Sequence, residues 1–378
     1  MYNARMEQNL ITEYFEEVET TKEYDGYFCS VAQVMTLVLL GSICGLKSVS
    51  QIHQWATNPR ISRFLKEYFG ISRVPCYYWL LCLLKLIEPD SLRKCFTKWV
   101  TSLLPEDWSG QTLSIDGKRI RSTERMSRCE SPLHIVSAQL SEWGMTFAQR
   151  SVDEKRNEIP AVQELLNELE LKGCMVVADA LNCQKETAER ILEKKGDYLL
   201  CAKDNQATLK KEIEEYVQDQ ELRKRMETVR KVENNRGRIE RRTAYVTEEI
   251  GWMSVREEWK QLACIGAIHT ELERKNQKTE EWHYYICSRK LSAEELLHHA
   301  RMGWSVETMH WLLDVHFAED SCRVETREVQ EQLNVFRKMA LNLIKRYKEK
   351  EKSKRPISKI MLDCLLDPLL LASVFSET

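Results

Sequence analysis

The stretch MVVADALNCQ, Met175 to Gln184, decides the fold, because a short apolar run ends abruptly on a carboxylate, Asp179. A continuous apolar run of this length is typical of a strand that is buried on both faces. A second run, TLSID from Thr112 to Asp116, also ends on an aspartate. Ligands bind outside the carboxyl ends of strands in mixed α/β sheets, so the two aspartates are predicted to face one site.

The segments around these runs alternate between strand and helix patterns. The hairpin signal is two alternating segments joined by EWG, and one helix has a proline in its first turn and Gly173 just past its end. The predicted order is β-β-β-α-β-α-β, which gives a mixed sheet with helices on its faces. The predicted elements are strands 112–120, 133–141 and 145–152, helix 159–173, strand 174–180, helix 184–196 and strand 197–203.

The regions on either side show different sequence patterns. Residues 1–106 read as five short helices, and their apolar run from Val34 to Leu46 is too short to span a bilayer. Basic residues between these helices indicate a DNA-binding unit of helix-turn-helix type, with a helical scaffold as the alternative. The predicted domains are residues 1–106 (helical, DNA-binding), 107–203 with 291–350 (catalytic core), 204–290 (a β-rich insertion) and 351–378 (a C-terminal tail).

Composition excludes several classes of protein. The chain has 378 residues and 13 cysteines without a CxxC pair, which indicates reduced cytoplasmic thiols and neither a disulfide framework nor a zinc site. The first ten residues are polar, so no signal peptide is expected. No glycine-rich phosphate loop is present, which leaves a nucleotide cofactor without support.

Charge is distributed unevenly although the net charge is only −2. Residues Leu222 to Arg242 contain nine Lys or Arg and three Glu, and Phe336 to Arg355 contain nine Lys or Arg and two Glu. Blocks of this kind suit phosphate contacts. The alternative for each block is a solvated face or a frayed tail.

Two neighbouring carboxylates repel each other unless a divalent cation lies between them. Mg²⁺ prefers oxygen ligands, and paired ions hold the attacking and leaving oxygens of a phosphoryl displacement. The helix GWSVETMHWLLDVHFAED supplies a third carboxylate, Glu307, which helical spacing places between Trp304 and Trp311. The alternatives are three later acidic residues of the same segment: Asp314, Glu319 and Asp320.

Each candidate also has a structural interpretation. Asp116 alone could cap a turn with Gly117, and Asp179 alone could cap the following helix; only the pair favours a metal site. His134 on an alternating strand is predicted to pack rather than to bind a ligand. The two tryptophans are predicted to be core residues rather than base-stacking ones.

The motifs SIDGKRIRS, LHIVSAQ, DEKRNEIPAVQELLNELELKG, VVADALNCQKETAERI, DYLLCAKDNQATL and GWSVETMHWLLDVHFAEDSCRV carry a resemblance. Together they resemble the ISAs-type insertion-sequence transposases, the group that includes the H-repeat-associated proteins. The similarity runs nearly end to end, and the N-terminal helices look like the domain that precedes the catalytic domain in that family. The resemblance implies an α/β fold with an RNase H-like mixed sheet, a DDE triad, Mg²⁺ dependence, and cleavage and strand transfer at transposon ends.

Carried onto this chain, the resemblance assigns the triad to Asp116 in IDGK, Asp179 in ADAL and Glu307 in WSVET, as catalytic and metal-binding residues. The family usually has a histidine where this chain has Gly303, an asparagine where it has Thr308, and a glycine after the arginine of the DGK element. The residues expected to bind DNA lie in the DGK element, in the KxNQ element and in the first basic block. They are Lys118, Arg119, Arg121, Lys203, Asn205, Gln206, Arg236, Arg238, Arg241 and Arg242.

The expected activity is that of a bacterial DNA transposase, with a two-ion Mg²⁺ site that Mn²⁺ can also fill. The expected partners are transposon-end double-stranded DNA, target DNA and a second copy of the chain on the DNA, with no membrane and no nucleotide cofactor. Two alternatives stay open. One is an RNase H-like nuclease without strand transfer, and the other is a DNA-binding protein that has lost catalysis, which the departure at Gly303 would favour.

Overall fold

A computed structural model describes residues 10–23, 29–105, 107–121, 132–152, 158–235, 238–274, 277–324 and 326–376. These residues form one mixed sheet and fourteen helices. The strands are β1 (Thr112–Arg119), β2 (His134–Leu140), β3 (Met145–Ser151), β4 (Met175–Ala178), β5 (Asp197–Ala202), β6 (Glu227–Asn235), β7 (Arg238–Thr247), β8 (Cys264–Arg274) and β9 (Gln277–Cys287).

The helices surround the sheet and extend its two ends. They are α1 (Leu10–Glu16), α2 (Val31–Ile43), α3 (Val49–Ala56), α4 (Pro59–Phe69), α5 (Tyr77–Leu86), α6 (Pro89–Ser102), α7 (Glu158–Glu168), α8 (Lys185–Glu193), α9 (Ala207–Gln218), α10 (Gln220–Arg223), α11 (Ala293–Phe317), α12 (Arg327–Lys350), α13 (Ile357–Leu366) and α14 (Pro368–Phe375).

The strand order in the sheet is β3-β2-β1-β4-β5-β9-β8-β7-β6. The first three strands form an antiparallel meander, and β1, β4 and β5 run parallel. All four residues of β4 are buried, as expected for a continuous apolar run between helices on both faces. The predicted order β-β-β-α-β-α-β is confirmed, and the fold class is α/β with an RNase H-like mixed sheet.

Residues 204–290, predicted to be a β-rich insertion, contain strands β6 to β9, and these strands continue the core sheet. Strand β9 pairs antiparallel with β5, from Leu199 opposite Cys287 to Ala202 opposite Tyr284. Strands β8, β7 and β6 then follow as antiparallel ribbons. The sequence could not show this pairing, because β5 and β9 are separated by about eighty residues of chain.

The N-terminal helices pack on the catalytic core. All five predicted helices are present as α2 to α6, and α1 precedes them. A buried salt bridge joins Arg93 of α6 to Glu331 of α12 at 2.7 Å, and Gln332 donates to the carbonyl oxygen of Ile87 at 3.0 Å. One hydrophobic cluster runs from Ile11 to Phe375 through both regions. The helical region therefore shares its core with the sheet.

The residues after 350 differ from the prediction of a tail, because they form α13 and α14. Leu371 and Phe375 of α14 are fully buried, and the ring of Phe375 packs edge-on against Phe69 at 5.1 Å. Aspartate 367 caps α14 by accepting from the backbone of Leu369. Among the described helices, none combines the length and the apolar character that crossing a membrane requires.

Candidate active site

The two predicted aspartates come together where the parallel pairing of β1 and β4 ends. These strands are parallel neighbours, and Ile115 pairs with Ala178 in their register. Asp116 and Asp179 each follow one member of that pair and line the same cavity, which has a volume of about 170 Å³. The prediction that they lie on adjacent strands is confirmed.

Helix α11 crosses these strands and supplies the third carboxylate. It is held to β1 by a hydrogen bond from the Ser114 hydroxyl to the carbonyl oxygen of Met302 at 3.0 Å. Glu307, one and a half turns further on, is exposed and lines the same cavity as the aspartates. Its two flanking tryptophans differ: Trp304 also lines the cavity, whereas the predicted core residue Trp311 has 57% of its surface exposed.

The alternatives to Glu307 are engaged elsewhere. Glu319 is buried and forms a salt bridge with Lys118 at 2.6 Å. Asp320 lies 3.5 Å from the same lysine nitrogen. The carboxylate of Asp314 accepts from the backbone of Asp320 at 3.3 Å. Glu307 is the member of this set that lines the cavity.

Gly303 lies where α11 passes closest to β4. A Cβ atom at this position would sit 2.6 Å from Cγ1 of Val177, closer than real Cβ contacts allow. Val177 is a β-branched residue in the middle of a buried strand, so it has little freedom to move away. A histidine at 303 would therefore not fit this backbone, and Gly303 here is a packing requirement of the helix–sheet crossing.

The loop after β4 is held by side-chain amides. Asn182 donates to Oδ1 of Asp179 through its backbone at 3.2 Å and its side chain at 2.9 Å. Asn205 donates to the carbonyl oxygen of Ala180 at 2.6 Å, and Gln206 donates to that of Cys183 at 2.9 Å. Asn205 and Gln206, predicted to bind DNA, thus use their amides to position the loop that carries Asp179.

The electrostatics of the cavity favour a bound cation. Burial raises the pKa of the Asp179 carboxyl, and the charges of Glu158 and Asp116 raise it further. The hydrogen bonds from Asn182 lower this pKa, but the raising effects are larger. Nε2 of His310 lies 3.4 Å from Oδ2 of Asp116. The three carboxylates offer only oxygen donors, the set that Mg²⁺ and Mn²⁺ prefer, so the residues present fit a hard divalent cation.

Three residues near the triad were given no role in the site from the sequence, although Glu158 and His310 stand in motifs of the family resemblance. Asn182 stands in the opening stretch, three residues after Asp179. Glu158 belongs to the NEIP element, and His310 follows Glu307 by three positions on one helix, which places them on the same side. The helical spacing of His310 was a usable signal, but nothing local indicates the contact between Glu158 and Asn182.

The basic residues of the DGK and KxNQ elements have separate environments. Lys118 is bound to Glu319, so its charge is directed inward. Arg119 and Arg121 are exposed at the end of β1. Lys203 is exposed and lines the cavity with the triad, which makes it the predicted phosphate contact nearest to the carboxylates.

The arginines of the first basic block pair with glutamates on their own strand and on neighbouring strands. Arg241 lies 3.1 Å from Glu273, and Arg242 lies 2.5 Å from Glu240. Arg242 is mostly buried, with its guanidinium 5.5 Å from the ring centre of Trp304. Arg238 is half-exposed and 3.7 Å from Glu240. Arg236, also predicted to bind DNA, lies outside the described residues.

The second basic block begins inside the molecule and ends on its surface, where Lys350, Lys352, Lys354 and Arg355 are exposed. Arg337 and Lys338 of α12 are buried, and Lys345 donates to the carbonyl oxygen of Gly144 at the β2–β3 turn. The prediction of a DNA-binding face is therefore wrong for these three residues. The physical reason is that α12 is enclosed between the sheet and the N-terminal helices, so its polar side chains bond to protein groups.

Comparison with known proteins agrees with this architecture. The family model described as "Transposase DDE domain" matches residues 110–343, and the model described as "DDE_Tnp_1-associated" matches residues 12–100. The "H repeat-associated putative transposase YhhI" of Escherichia coli (strain K12) is 32% identical over 291 residues, which cover 74% of this chain and 76% of that protein. The "Putative transposase YncI" of Escherichia coli O157:H7 is 30% identical over 351 residues, 90% of this chain and 89% of that protein.

A solved structure titled as a synaptic complex of the piggyBac transposase with hairpin DNA covers 97% of this chain and 80% of its own, at 12% identity and a TM-score of 0.44. That score is too low to support a conclusion about this chain. The sequence matches are sufficient by themselves, because the DDE model covers more than half of the chain and the relatives span most of both chains. The chain belongs to the family of transposases with a DDE domain.

Proposed function

We propose that the chain is an active insertion-sequence transposase that cleaves DNA at the element's ends and joins those ends to target DNA. The observation that carries the proposal is the convergence of Asp116, Asp179 and Glu307 on one cavity, at the point where the parallel pairing of β1 and β4 ends. Three carboxylates in one cavity suit cation-assisted phosphoryl displacement, in which water and a DNA hydroxyl are the attacking groups.

The reaction has two displacements at phosphorus. A water oxygen attacks the phosphodiester at the end of the element, and the 3′ oxygen leaves as a hydroxyl. That 3′ hydroxyl then attacks a phosphodiester of the target, forming a new bond as the target's own 3′ oxygen leaves. Each step exchanges one phosphodiester bond for another P–O bond, without an external energy source.

The three carboxylates would hold the divalent cations, Mg²⁺ or Mn²⁺. When bound, these ions supply Lewis-acid stabilisation of the attacking and leaving oxygens. Asp179 is fixed by the two hydrogen bonds from Asn182, and Asp116 is close to His310. Exposed Glu307 and Lys203 lie on the open side of the cavity, where the DNA backbone would approach.

Transposon-end DNA and target DNA are the proposed partners, bound by two copies of the chain. The proposed phosphate contacts are Lys203, which is exposed and lines the cavity, and Arg119 and Arg121, which are exposed at the end of β1. A nuclease without strand transfer is the second candidate on the same site. The loss-of-catalysis alternative has less support, because Gly303 is explained by its close packing on Val177.

The test compares Glu307→Gln with Asp314→Asn, a matched carboxylate-to-amide change on the same helix but outside the cavity. Glu307→Gln should reduce nicking of a labelled end substrate by about 10³-fold, which corresponds to several kcal/mol of lost transition-state stabilisation. End binding, measured in Ca²⁺, should be nearly unchanged for both variants, and Asp314→Asn should nick at close to the wild-type rate.

The outcomes separate the candidates. Wild-type nicking by Glu307→Gln would remove Glu307 from the triad. Strand transfer of pre-cleaved ends by the wild type distinguishes a transposase from a nuclease, which would only cut. If the wild type binds end DNA but neither nicks nor joins it with any divalent cation, the chain is a DNA-binding protein without catalysis.

A further inference from the structure

A fourth carboxylate, Glu158, is buried beside the triad at the first residue of α7. We propose that Glu158 is a positioning residue of the catalytic centre, which acts through Asn182 to fix Asp179 for cation binding. The proposal rests on the function proposed above and deepens it, because it identifies what holds one member of the triad in place.

The first support is a shared amide. Nδ2 of Asn182 lies 2.8 Å from Oε1 of Glu158 and 2.9 Å from Oδ1 of Asp179. One amide nitrogen carries two hydrogens, so it can donate to both carboxylates at once. Asn182 is fully buried, so water does not compete for these bonds. Its backbone nitrogen also donates to Oδ1 of Asp179, and Oδ2 is the oxygen that neither bond occupies.

The second support is the partner on the other side of Glu158. Nε2 of His134, the first residue of β2, lies 3.0 Å from Oε2 of Glu158. His134 was predicted to be a packing residue; it is instead a hydrogen-bond donor to this carboxylate. Burial disfavours the charged form of Glu158, but the bonds from His134 and Asn182 outweigh it and lower its pKa. Glu158 therefore keeps its negative charge at neutral pH.

The third support is the glycine of the IDGK motif. A Cβ atom at Gly117 would lie 2.2 Å from Oε2 of Glu158 and 2.6 Å from Nε2 of His134. Any larger residue would displace the pair, because both groups meet the β1 backbone directly behind Asp116. Strand β1 thus carries Asp116 of the triad and, at the next position, a glycine that leaves space for Glu158 and His134.

These contacts give Glu158 a role distinct from that of a ligand. Both of its oxygens are bonded to protein groups, one to Asn182 and one to His134, and Glu158 is not among the residues that line the triad's cavity. Its charge adds to the negative potential at Asp179, and its bond fixes the amide that orients Asp179. Residues that orient metal ligands commonly change metal affinity by about 10- to 100-fold when they are replaced.

The experiment is a Mn²⁺ titration of the protein and of its end-DNA complex, followed by calorimetry or by the electron paramagnetic resonance of free Mn²⁺. Glu158→Gln should weaken Mn²⁺ binding by about tenfold or more and raise the Mg²⁺ concentration needed for half-maximal nicking. The matched control is Glu164→Gln, later in the same helix, where the carboxylate pairs with Arg150 at 2.8 Å. It should leave both quantities at wild-type values.

A second variant, Asn182→Ser, removes the shared amide and should reproduce the loss of Mn²⁺ affinity. A purely structural role would lower the melting temperature of either variant while leaving the Mn²⁺ affinity and the Mg²⁺ requirement unchanged. Wild-type Mn²⁺ affinity in Glu158→Gln, or in Asn182→Ser if the first variant does not fold, overturns the proposal.

If the wild type itself binds no Mn²⁺ with or without DNA, the proposed metal centre fails and this inference fails with it. If the wild type binds Mn²⁺ but does not cut DNA, only the proposed function fails.

Discussion

The carboxylates at the end of the β1–β4 pairing and the arginines of β7 are both dense groups of like charge, but they are balanced differently. Arg241 and Arg242 each lie within 3.1 Å of a glutamate. Within the described part of the chain, no lysine or arginine forms a salt bridge with Asp116 or Asp179. The arginines are thus neutralised by the protein itself, whereas the aspartates are left to attract an external cation.

This difference shows how a charged cluster indicates function. A paired cluster contributes to architecture, because each charge has its partner within the fold. A cluster of like charges that are held together by hydrogen bonds, such as Asp179 beside Glu158, is unfavourable in the isolated protein. The fold keeps such a cluster at the cost of stability, which is a common property of functional sites.

The largest expected difference between the carboxylates and the paired arginines is in the response to substitution of Asp179. Asp179→Asn should reduce nicking by about 10³-fold, and it should also raise the melting temperature of the metal-free protein by roughly 1–3 °C. The pKa of Asp179 is raised in the folded state, so protonation favours folding and the metal-free protein loses stability as pH rises through that pKa. The Asp179→Asn variant has no carboxyl at this position, so its stability should not fall with pH in this way.

The measurements are end nicking in Mg²⁺ and thermal unfolding in a chelator between pH 4 and pH 8. The matched control is Arg241→Met, which removes a charge from the paired group. It should leave nicking intact and lower the free energy of unfolding by less than about 1 kcal/mol. A metal-free Asp179→Asn protein that is less stable than wild type across this pH range would break the comparison.

A smaller effect is expected at Lys338, a basic residue that the fold encloses. Its nitrogen donates to the Ser137 hydroxyl and to Oε1 of Gln149, both at 2.7 Å. Burial lowers the pKa of Lys338 to about 7, although the nearby charge of Glu319 opposes this. Above pH 7 the folded chain loses this proton while the unfolded chain keeps it, so the lysine makes stability rise with pH.

Lys338→Met should remove that rise. Between pH 7 and pH 9 the free energy of unfolding of the wild type should increase relative to the variant by up to about 1.4 kcal/mol per pH unit. Below pH 6 both states of the wild type hold the proton, and the difference should become constant. Urea unfolding at pH 6, 7.5 and 9 measures it, and parallel pH profiles for the two proteins would show that Lys338 keeps an ordinary pKa.

The sequence was sufficient to predict those parts of the molecule whose structure follows from local sequence patterns. Apolar runs and strand-end carboxylates predicted β1, β4 and the two aspartates, and the helical spacing with the family motif predicted Glu307. Exposure was not predictable, because a count of basic residues is the same for an enclosed helix such as α12 and for a solvated one. Contacts between distant segments were also missed: Glu158 reaches Asn182 only after α7 docks beside the loop that follows β4.

The smallest effect concerns the two arginines of β7 that differ most in exposure. Arg238 is half-exposed, so it is available to a DNA phosphate, whereas Arg242 is mostly buried between two glutamates and Trp304. Arg238→Ala should reduce the slope of log K against log salt for end binding by about 1, because one phosphate contact releases about one counterion. Arg242→Ala should leave that slope unchanged and lower the free energy of unfolding by about 1 kcal/mol through lost packing and pairing.

Binding of labelled end DNA at several salt concentrations measures the slope, and urea unfolding of both variants measures the free energy of unfolding. The reverse result, a changed slope for Arg242→Ala alone, would mean that DNA binding opens the ribbon and exposes its buried arginines. Exposure in the free protein would then not distinguish DNA-binding arginines from structural ones in this part of the sheet.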